Sequence, residues 1–313
     1  MNEQHGAIIY KKTHLSRSIS PCDDVFRILS GGLEASAGSA VVAENASALF
    51  LDGRYITAAK KYVDTNKFRI LPHEFFYIVD WIAEKIPRNS VISYDPRFYS
   101  YAEYEKLRAA LPNYQWNIVD LRKMLGVAIP PRKLQIHYLT NNRTAEKLEY
   151  IYDAIFKNNL DAYLLCDPSS VCWIMDMRDL ETPYSPLVLS YLLVTRDRQV
   201  IVYVDESYIF DRTNVMRSKL NLIDDLKNYS AVGIDIHETP AIVYHQNVSH
   251  VANPCALPKA LKTVSEIADI KCTALKDSVA LINFLHWMYL HHATGVTELH
   301  ASEKALYFRK MQP

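Results

Sequence analysis

Gly6-Ala7-Ile8-Ile9-Tyr10 is a short apolar run of the kind that forms a buried strand, and Asp161-Ala162-Tyr163-Leu164-Leu165 is a second. Each run opens a similar series of segments. Counting on from Ala7, 48 residues lead to Tyr55 in Leu51-Asp52-Gly53-Arg54-Tyr55-Ile56; from Ala162, 46 residues lead to Tyr208 in Val204-Asp205-Glu206-Ser207-Tyr208-Ile209. Between these landmarks each copy carries two strand candidates joined by a polar turn. The first pair is Ser39-Ala40-Val41-Val42 and Ala48-Leu49-Phe50-Leu51, joined by Glu44-Asn45-Ala46-Ser47. The second is Ser190-Tyr191-Leu192-Leu193-Val194 and Val200-Ile201-Val202-Tyr203-Val204, joined by Arg196-Asp197-Arg198-Gln199. A unit used twice marks its own boundaries, so the chain reads as two α/β domains of similar plan, each a mixed sheet with flanking helices.

Beyond each landmark, helix and strand signals alternate. In the first copy Phe75, Ile78, Val79 and Ile82 recur at helical spacing, Ser90-Val91-Ile92-Ser93-Tyr94 reads as a strand, Tyr104, Leu107, Ala110 and Leu111 are helical again, and Trp116-Asn117-Ile118-Val119 is another strand. In the second, Ala231-Val232-Gly233-Ile234-Asp235 is a strand, a helix is expected to start near Thr239-Pro240, and Asn247-Val248-Ser249-His250-Val251 is a strand. A helix capped by Thr144, with Leu148, Ile151, Tyr152 and Ile155 on one face, precedes the second unit; the first unit has no such helix, as though the chain began late. Pro130-Pro131-Arg132 marks the join. From Thr263-Val264-Ser265-Glu266, a capping-box pattern, Ile267, Ile270, Ala274, Leu281, Ile282, Leu285 and Tyr289 trace a helical stripe that Thr294-Gly295 ends, and Val296-Thr297-Glu298 starts another helix. Two helices without a strand cannot close a domain like those before them, so the expected division is 1–137, 138–262 and 263–313, the last being the start of a truncated third domain.

Composition removes several functional classes. A length of 313 residues is long for a single core. Lys+Arg at 35 against Asp+Glu at 35 leaves no electrostatic footprint for nucleic acid or anionic lipid. Hydrophobic residues at 49% permit real cores, yet no apolar stretch is long enough to span a membrane and the first residues do not resemble a signal peptide, so a cytoplasmic protein is expected. Cys22, Cys166, Cys172, Cys255 and Cys272 are odd in number and scattered, which fits reduced thiols. The 8 glycines form neither a Gly-x-Gly-x-x-Gly turn nor a Walker loop.

Candidate reactive groups are few. His286, His291 and His292 miss the i, i+4 spacing of a zinc-binding helix and suit a solvated helix end. His237-Glu238 and Asp23-Asp24 are isolated pairs with loop or cap roles, and Ser36-Ala37-Gly38 lacks the leading glycine of a nucleophile elbow. Arg54, directly after a glycine at the end of a buried strand, stands apart: its guanidinium can offer a bidentate fork to a carboxylate or carbonyl in a cleft, or pair with Asp52 or a neighbouring loop.

Gly32-Leu33-Glu34-Ala35-Ser36-Ala37-Gly38-Ser39-Ala40, Asp52-Gly53-Arg54-Tyr55, Trp173-Ile174-Met175-Asp176-Met177-Arg178-Asp179 with Ser185-Pro186-Leu187, Ser265-Glu266-Ile267 with Leu275-Lys276-Asp277-Ser278-Val279-Ala280-Leu281, and Gly295-Val296-Thr297-Glu298 together resemble, in order, the three-domain aminopeptidase P (Xaa-Pro aminopeptidase, M24) family. The resemblance implies two creatinase/prolidase N-terminal-like domains followed by a "pita-bread" catalytic domain that holds two divalent metals, manganese or zinc, and removes an N-terminal residue when proline follows. It places the metal ligands beyond Pro313, so no catalytic or metal-binding residue is expected here, and it makes Arg54 substrate-binding. Two departures stand out: Ala35 replaces a usual glycine, and Arg17 stands where the family commonly has a glutamate. The implied function is the non-catalytic part of a metal-dependent Xaa-Pro aminopeptidase, shaping a cleft for short peptides with proline second; separately, the apolar stripe from Ile267 to Tyr289 is expected to pair two copies as a homodimer. The alternative is a non-enzymatic peptide- or protein-binding scaffold with a peptidase-like fold.

Overall fold

In the computed structural model, which describes residues 6–12, 25–127, 132–133, 136–139, 143–180, 185–204, 208–209, 216–218, 221–244 and 247–313, the first apolar run is strand β1 (Ala7–Lys12). Ala7 to Tyr10 are buried on both faces, so β1 is an interior strand. Around it lie β2 (Gly38–Val42), β3 (Ser47–Leu51), β4 (Phe68–Pro72), β5 (Val91–Tyr94) and β6 (Gln115–Ile118), in the order β4-β3-β2-β1-β5-β6. β2 is antiparallel to β1 and β3, and the remaining pairs are parallel. The helices are α1 (Val25–Leu29), α2 (Ile56–Tyr62), α3 (Phe75–Lys85), α4 (Tyr101–Ala110) and α5 (Leu121–Leu125). Alternation along the strands sends Tyr10 to one face, where it meets Phe26 and Phe98 with ring centroids 6.1 and 5.0 Å away, and sends Ile9 and Lys11 to the other. Gly38 opens β2 with φ +150°, and a Cβ there would come within 3.1 Å of the Phe50 carbonyl oxygen, so the position needs glycine.

The second unit repeats the plan. Its elements are β7 (Arg132–Lys133), β8 (Ile136–Tyr138), α6 (Thr144–Lys157), β9 (Ala162–Leu165), α7 (Pro168–Ile174), β10 (Met177–Asp179), β11 (Ser190–Thr195), β12 (Val200–Val204), β13 (Tyr208–Ile209), β14 (Met216–Ser218), α8 (Leu222–Leu226), β15 (Val232–Ile234) and β16 (Val248–His250). The main sheet runs β14-β12-β11-β9-β15-β16, with each strand direction matching its counterpart in the first sheet, and β7–β13 and β8–β10 form two small ladders. The expected fold class, α/β with two similar mixed sheets, is therefore the one observed.

Three local expectations differ from the structure. Thr144 is the first residue of α6, not its cap; the cap is Arg143, whose backbone N–H donates to Asp176 at 2.9 Å. No α-helix starts near Thr239-Pro240, only a 3-10 turn over Ala241–Val243. The reason is that this backbone is engaged elsewhere: Thr239 O accepts from Tyr101 N at 3.0 Å, Ala241 N donates to Tyr99 O at 2.8 Å, and Ser100 bridges Pro240. Ala102 N also donates to Ile236 O at 3.0 Å, and Tyr101 stacks on Tyr244 with centroids 3.4 Å apart, so the first turn of α4 is completed by the second sheet's loop. The third difference is the pair of edge strands β4 and β14, which lack a strong apolar pattern. β4 carries Arg69, ends in Pro72 and is only half-buried, which are the features that keep an edge strand from pairing further. The Pro130-Pro131 join lies outside the described residues.

The chain divides into two units, Met1–Ala256, which holds both sheets, and Leu257–Pro313, reached through the short α9 (Ala256–Ala260). The second unit is a helical pair, α10 (Val264–His291) and α11 (Glu298–Lys310). Thr263 and Glu266 form a reciprocal capping box at the start of α10, Gly295 takes φ +77° in the connection, and Thr297 caps α11. Arg309 pairs with Asp277 at 2.6 Å, and Trp287 meets His300 at 5.3 Å, so α11 covers the Asp277 and Trp287 side of α10. The stripe read from the sequence lies elsewhere on α10 and stays open: Ile282 is 65% exposed, Leu285 56% and Tyr289 76%. Among the described residues no helix is long and apolar enough to cross a membrane.

Candidate functional site

Arg54 stands where β3 leaves the sheet. Asp52 caps the 3-10 turn Gly53–Tyr55 by accepting from Arg54 N at 3.0 Å, and the same carboxylate accepts from Arg54 Nε at 2.9 Å and Nη2 at 3.4 Å. The fork is thus folded back on Asp52, one of the two pairings open to it from the sequence. Both groups are in solvent, the Arg54 side chain 67% and the Asp52 side chain 40% exposed, and hydrogen bonds from Arg54 hold the Asp52 carboxyl below its usual range. Exposed pairs of this kind contribute little, so an incoming carboxylate or carbonyl can exchange with Asp52 at small cost.

The surroundings come from three elements. The Arg54 guanidinium lies 5.3 Å from the Tyr55 ring centroid, and the Tyr55 hydroxyl shares a 2.5 Å hydrogen bond with Ser36 Oγ, which lowers the phenol's pKa. Ser36 belongs to the loop before β2, whose left-handed turns fall on Gly31 and Gly32 and not on Ala35. His73, just past β4, donates its backbone N–H to Leu51 O at 3.1 Å, and its Nε2 is 3.0 Å from Ser39 Oγ. Burial, and then the Lys11 ammonium, hold the His73 imidazole below its usual pKa. The parallel pairing of β3 and β4 brings Asp52, Arg54 and His73 to the same end of the sheet. This arrangement can hold and orient an acceptor; the hydroxyl that meets the His73 imidazole, Ser39 Oγ, is buried in β2.

Other sequence candidates are dispersed. His291 Nδ1 donates to Trp287 O at 2.7 Å and His292 Nδ1 to Tyr289 O at 3.0 Å, both within α10 and its end. Asp235 accepts from His237 N at 2.9 Å, and Glu238 accepts from Asn253 Nδ2 at 3.0 Å. Cys166, Cys172 and Cys255 are buried and Cys272 is exposed. Arg17, Cys22, Asp23 and Asp24 lie outside the described residues. No group of three or more His, Cys, Asp or Glu among the described residues could hold a metal ion, so these residues do not fit a di-metal centre and no metal-dependent step is derived from them. Sequence reasoning missed one buried ion pair: Lys147 Nζ donates to Asp176 at 2.5 Å and to Trp173 O at 2.7 Å, with both side chains only 8% exposed. The available signal was a lysine four residues before Ile151, on the apolar face of α6.

Residues 26–126 match one family described as "Creatinase/Prolidase N-terminal domain", and residues 130–266 match a second with the same description. Xaa-Pro aminopeptidase ApepP of Drosophila melanogaster is 24% identical over 324 residues, covering 91% of this chain and 52% of that protein. Xaa-Pro aminopeptidase 1 of Dictyostelium discoideum is 26% identical over 321 residues, covering 90% and 51%. The chain thus spans about half the length of the curated relatives it matches. In structure it resembles the X-prolyl aminopeptidase of Caenorhabditis elegans, a cytosolic enzyme with a di-nuclear active site, with a TM-score of 0.82 at 22% identity over 98% of this chain and 55% of that one. Two sheets of one topology, the second within residues 130–266 and the first, apart from its strand β1, within residues 26–126, lead to one conclusion: the chain belongs to the creatinase/prolidase N-terminal domain family and carries that domain twice in tandem.

Proposed function

We propose that this chain is the non-catalytic portion of a metal-dependent Xaa-Pro aminopeptidase and forms one wall of a cleft for short peptides with proline at the second position. The observation that carries the reading is the alignment of about nine-tenths of the chain with half of each of two Xaa-Pro aminopeptidases. The two divalent metals and the hydrolytic chemistry belong, in this reading, to the half of such a protein that the chain does not span. Arg54 is the substrate-binding residue. Its guanidinium leaves Asp52 for a peptide carbonyl or carboxylate, a charge-assisted contact worth roughly 1.5–3 kcal/mol.

A chimera tests this. In Drosophila ApepP the segment matched by this chain is replaced with residues 1–313, and hydrolysis of an Xaa-Pro-Pro tripeptide is followed with manganese present. The chimera is expected to be active, with Arg54→Ala lowering kcat/KM about 10- to 100-fold and Arg54→Lys restoring little, because an ammonium lacks the planar fork. A folded, metal-loaded chimera with no activity overturns the proposed role of the chain. An active chimera indifferent to Arg54→Ala removes Arg54 from the site and leaves it paired to Asp52.

A further inference from the structure

A cavity of about 240 Å³ opens on the face of the first sheet that carries Ile9, Lys11 and Ser39. Lys11 and Ser39 are directly paired across β1 and β2, so they project to the same side, and Ile9 joins them two residues back. α3 supplies Phe75 and Ile78 to the walls, and α4 supplies Lys106 and Leu107. Lys11 stands near the carboxyl end of β1, the side on which open α/β sheets take their ligands.

The charges on these walls are only partly matched. Lys11 is engaged by Glu103 at 2.6 Å. Lys106 lies with its ammonium 4.1 Å from the centroid of the Phe75 ring and has no carboxylate partner among the described residues. Glu74, an exposed residue just before α3, lines the same cavity and likewise has no cationic partner among them. Two further polar groups are buried in the walls: Ser39, bonded to His73, and Tyr99, whose hydroxyl has no hydrogen-bond partner among the described residues. An unmatched cation and an unmatched anion beside a wall formed by Ile9, Phe75, Ile78 and Leu107 are complementary to a zwitterion with an apolar side chain. A simple carboxylate would leave Glu74 unmatched, and a simple amine would leave Lys106 so. The volume is below the 300–1,000 Å³ range of sites for drug-sized ligands, which limits the occupant to a single small molecule of amino-acid size.

We propose that this cavity binds a free α-amino acid with an apolar side chain, its carboxylate on Lys106, its ammonium on Glu74 and its side chain against Ile9, Ile78 and Leu107. The site is contained in the first sheet and its helices, and neither it nor its test depends on peptide hydrolysis. Calorimetric titration of the full chain with L-leucine, 4-methylpentanoate and isopentylamine separates the contributions, because the second lacks the ammonium and the third the carboxylate. L-Leucine is expected to bind saturably, each truncated analogue about tenfold more weakly or worse. Lys106→Gln is expected to weaken L-leucine about tenfold while leaving isopentylamine unchanged; Glu74→Gln does the same with 4-methylpentanoate unchanged. Both substitutions are at the rim of the cavity, and circular dichroism establishes that the variants fold. No saturable L-leucine binding up to about 10 mM overturns the proposal, as does L-leucine binding that neither substitution weakens, or 4-methylpentanoate binding as tightly as L-leucine.

Discussion

Among single residues, the buried Lys147–Asp176 pair carries a large energetic stake. Both groups are withdrawn from water, and Asp176 also accepts from Arg143 N while holding φ +48°, a left-handed conformation that aspartate and asparagine tolerate better than most. Asp176→Ala leaves a buried ammonium without a counter-charge and is expected to cost roughly 3–5 kcal/mol in urea denaturation. The double variant Lys147→Met, Asp176→Asn should recover part of that, since no charge is stranded and asparagine keeps the turn. A loss below about 1 kcal/mol for Asp176→Ala would show that the ammonium reaches water. His73 makes the corresponding prediction for pH. Burial and Lys11 depress its folded pKa below 6.5, so its neutral form is favoured by the fold. The stability it contributes is therefore full above the unfolded value of about 6.5 and declines as pH falls through that value toward the folded one, because the unfolded chain then binds more protons. An NMR titration should place the His73 midpoint below 6.5, and His73→Gln should flatten the fall in stability between about pH 7 and pH 5. A midpoint at or above 6.5 contradicts the buried setting.

Among the elements, α10 carries an apolar face that its neighbour α11 does not cover. α11 takes the Asp277 and Trp287 side, and Ile282, Leu285 and Tyr289 are left facing out. Each such side chain gains about 1.5–3 kcal/mol on full burial, and surfaces of this kind seldom remain uncovered in solution. Pairing of two copies through this face, about a two-fold axis, is the expected result. Light scattering over a dilution series should show a dimer at micromolar concentration, and Ile282→Glu with Leu285→Glu should return it to a monomer. A monomer in the unaltered chain at that concentration excludes the pairing. The capping box at Thr263 is separable from this: Thr263→Ala should cost about 1 kcal/mol of helix stability without altering association.

Across the whole molecule, the two sheets are tied by main-chain hydrogen bonds more than by a shared core. Tyr101 N, Ala102 N and Ala241 N all cross the seam, and the Tyr101–Tyr244 stack lies beside them. Buried main-chain groups cannot be left unpaired cheaply, so separating the sheets would expose the first turn of α4 to loss of its partners. Scanning calorimetry is expected to show both sheets unfolding in one transition. Tyr244→Ala removes a stack worth about 0.5–1.5 kcal/mol beyond its buried area, and should lower that transition or split it in two. Two resolved transitions in the unaltered chain would mean that the seam does not couple the sheets.

Elements whose signal is local are legible in the residues alone. β1 with β9, β2 with β11 and β3 with β12 each announce themselves as apolar runs at matching spacing, and α3, α6 and α10 by their 3.6-residue periodicity, because burial on a sheet or along a helix stripe leaves its imprint in consecutive residues. Arg54 is legible for the same reason, as a charged residue at the end of such a run. Other features depend on residues far apart in the chain and emerge only on folding. Edge strands β4 and β14 pair on one side and carry no strong pattern; the segment at Thr239-Pro240 forgoes a helix because its main chain meets residues 99–102; Lys147 and Asp176 lie 29 positions apart. The amino-acid cavity likewise combines β1, β2, α3 and α4, which no single window of the sequence contains. Long-range hydrogen bonds and charge pairs are chosen by whichever partners the folded chain brings within reach, and that choice is made by the packing of whole elements.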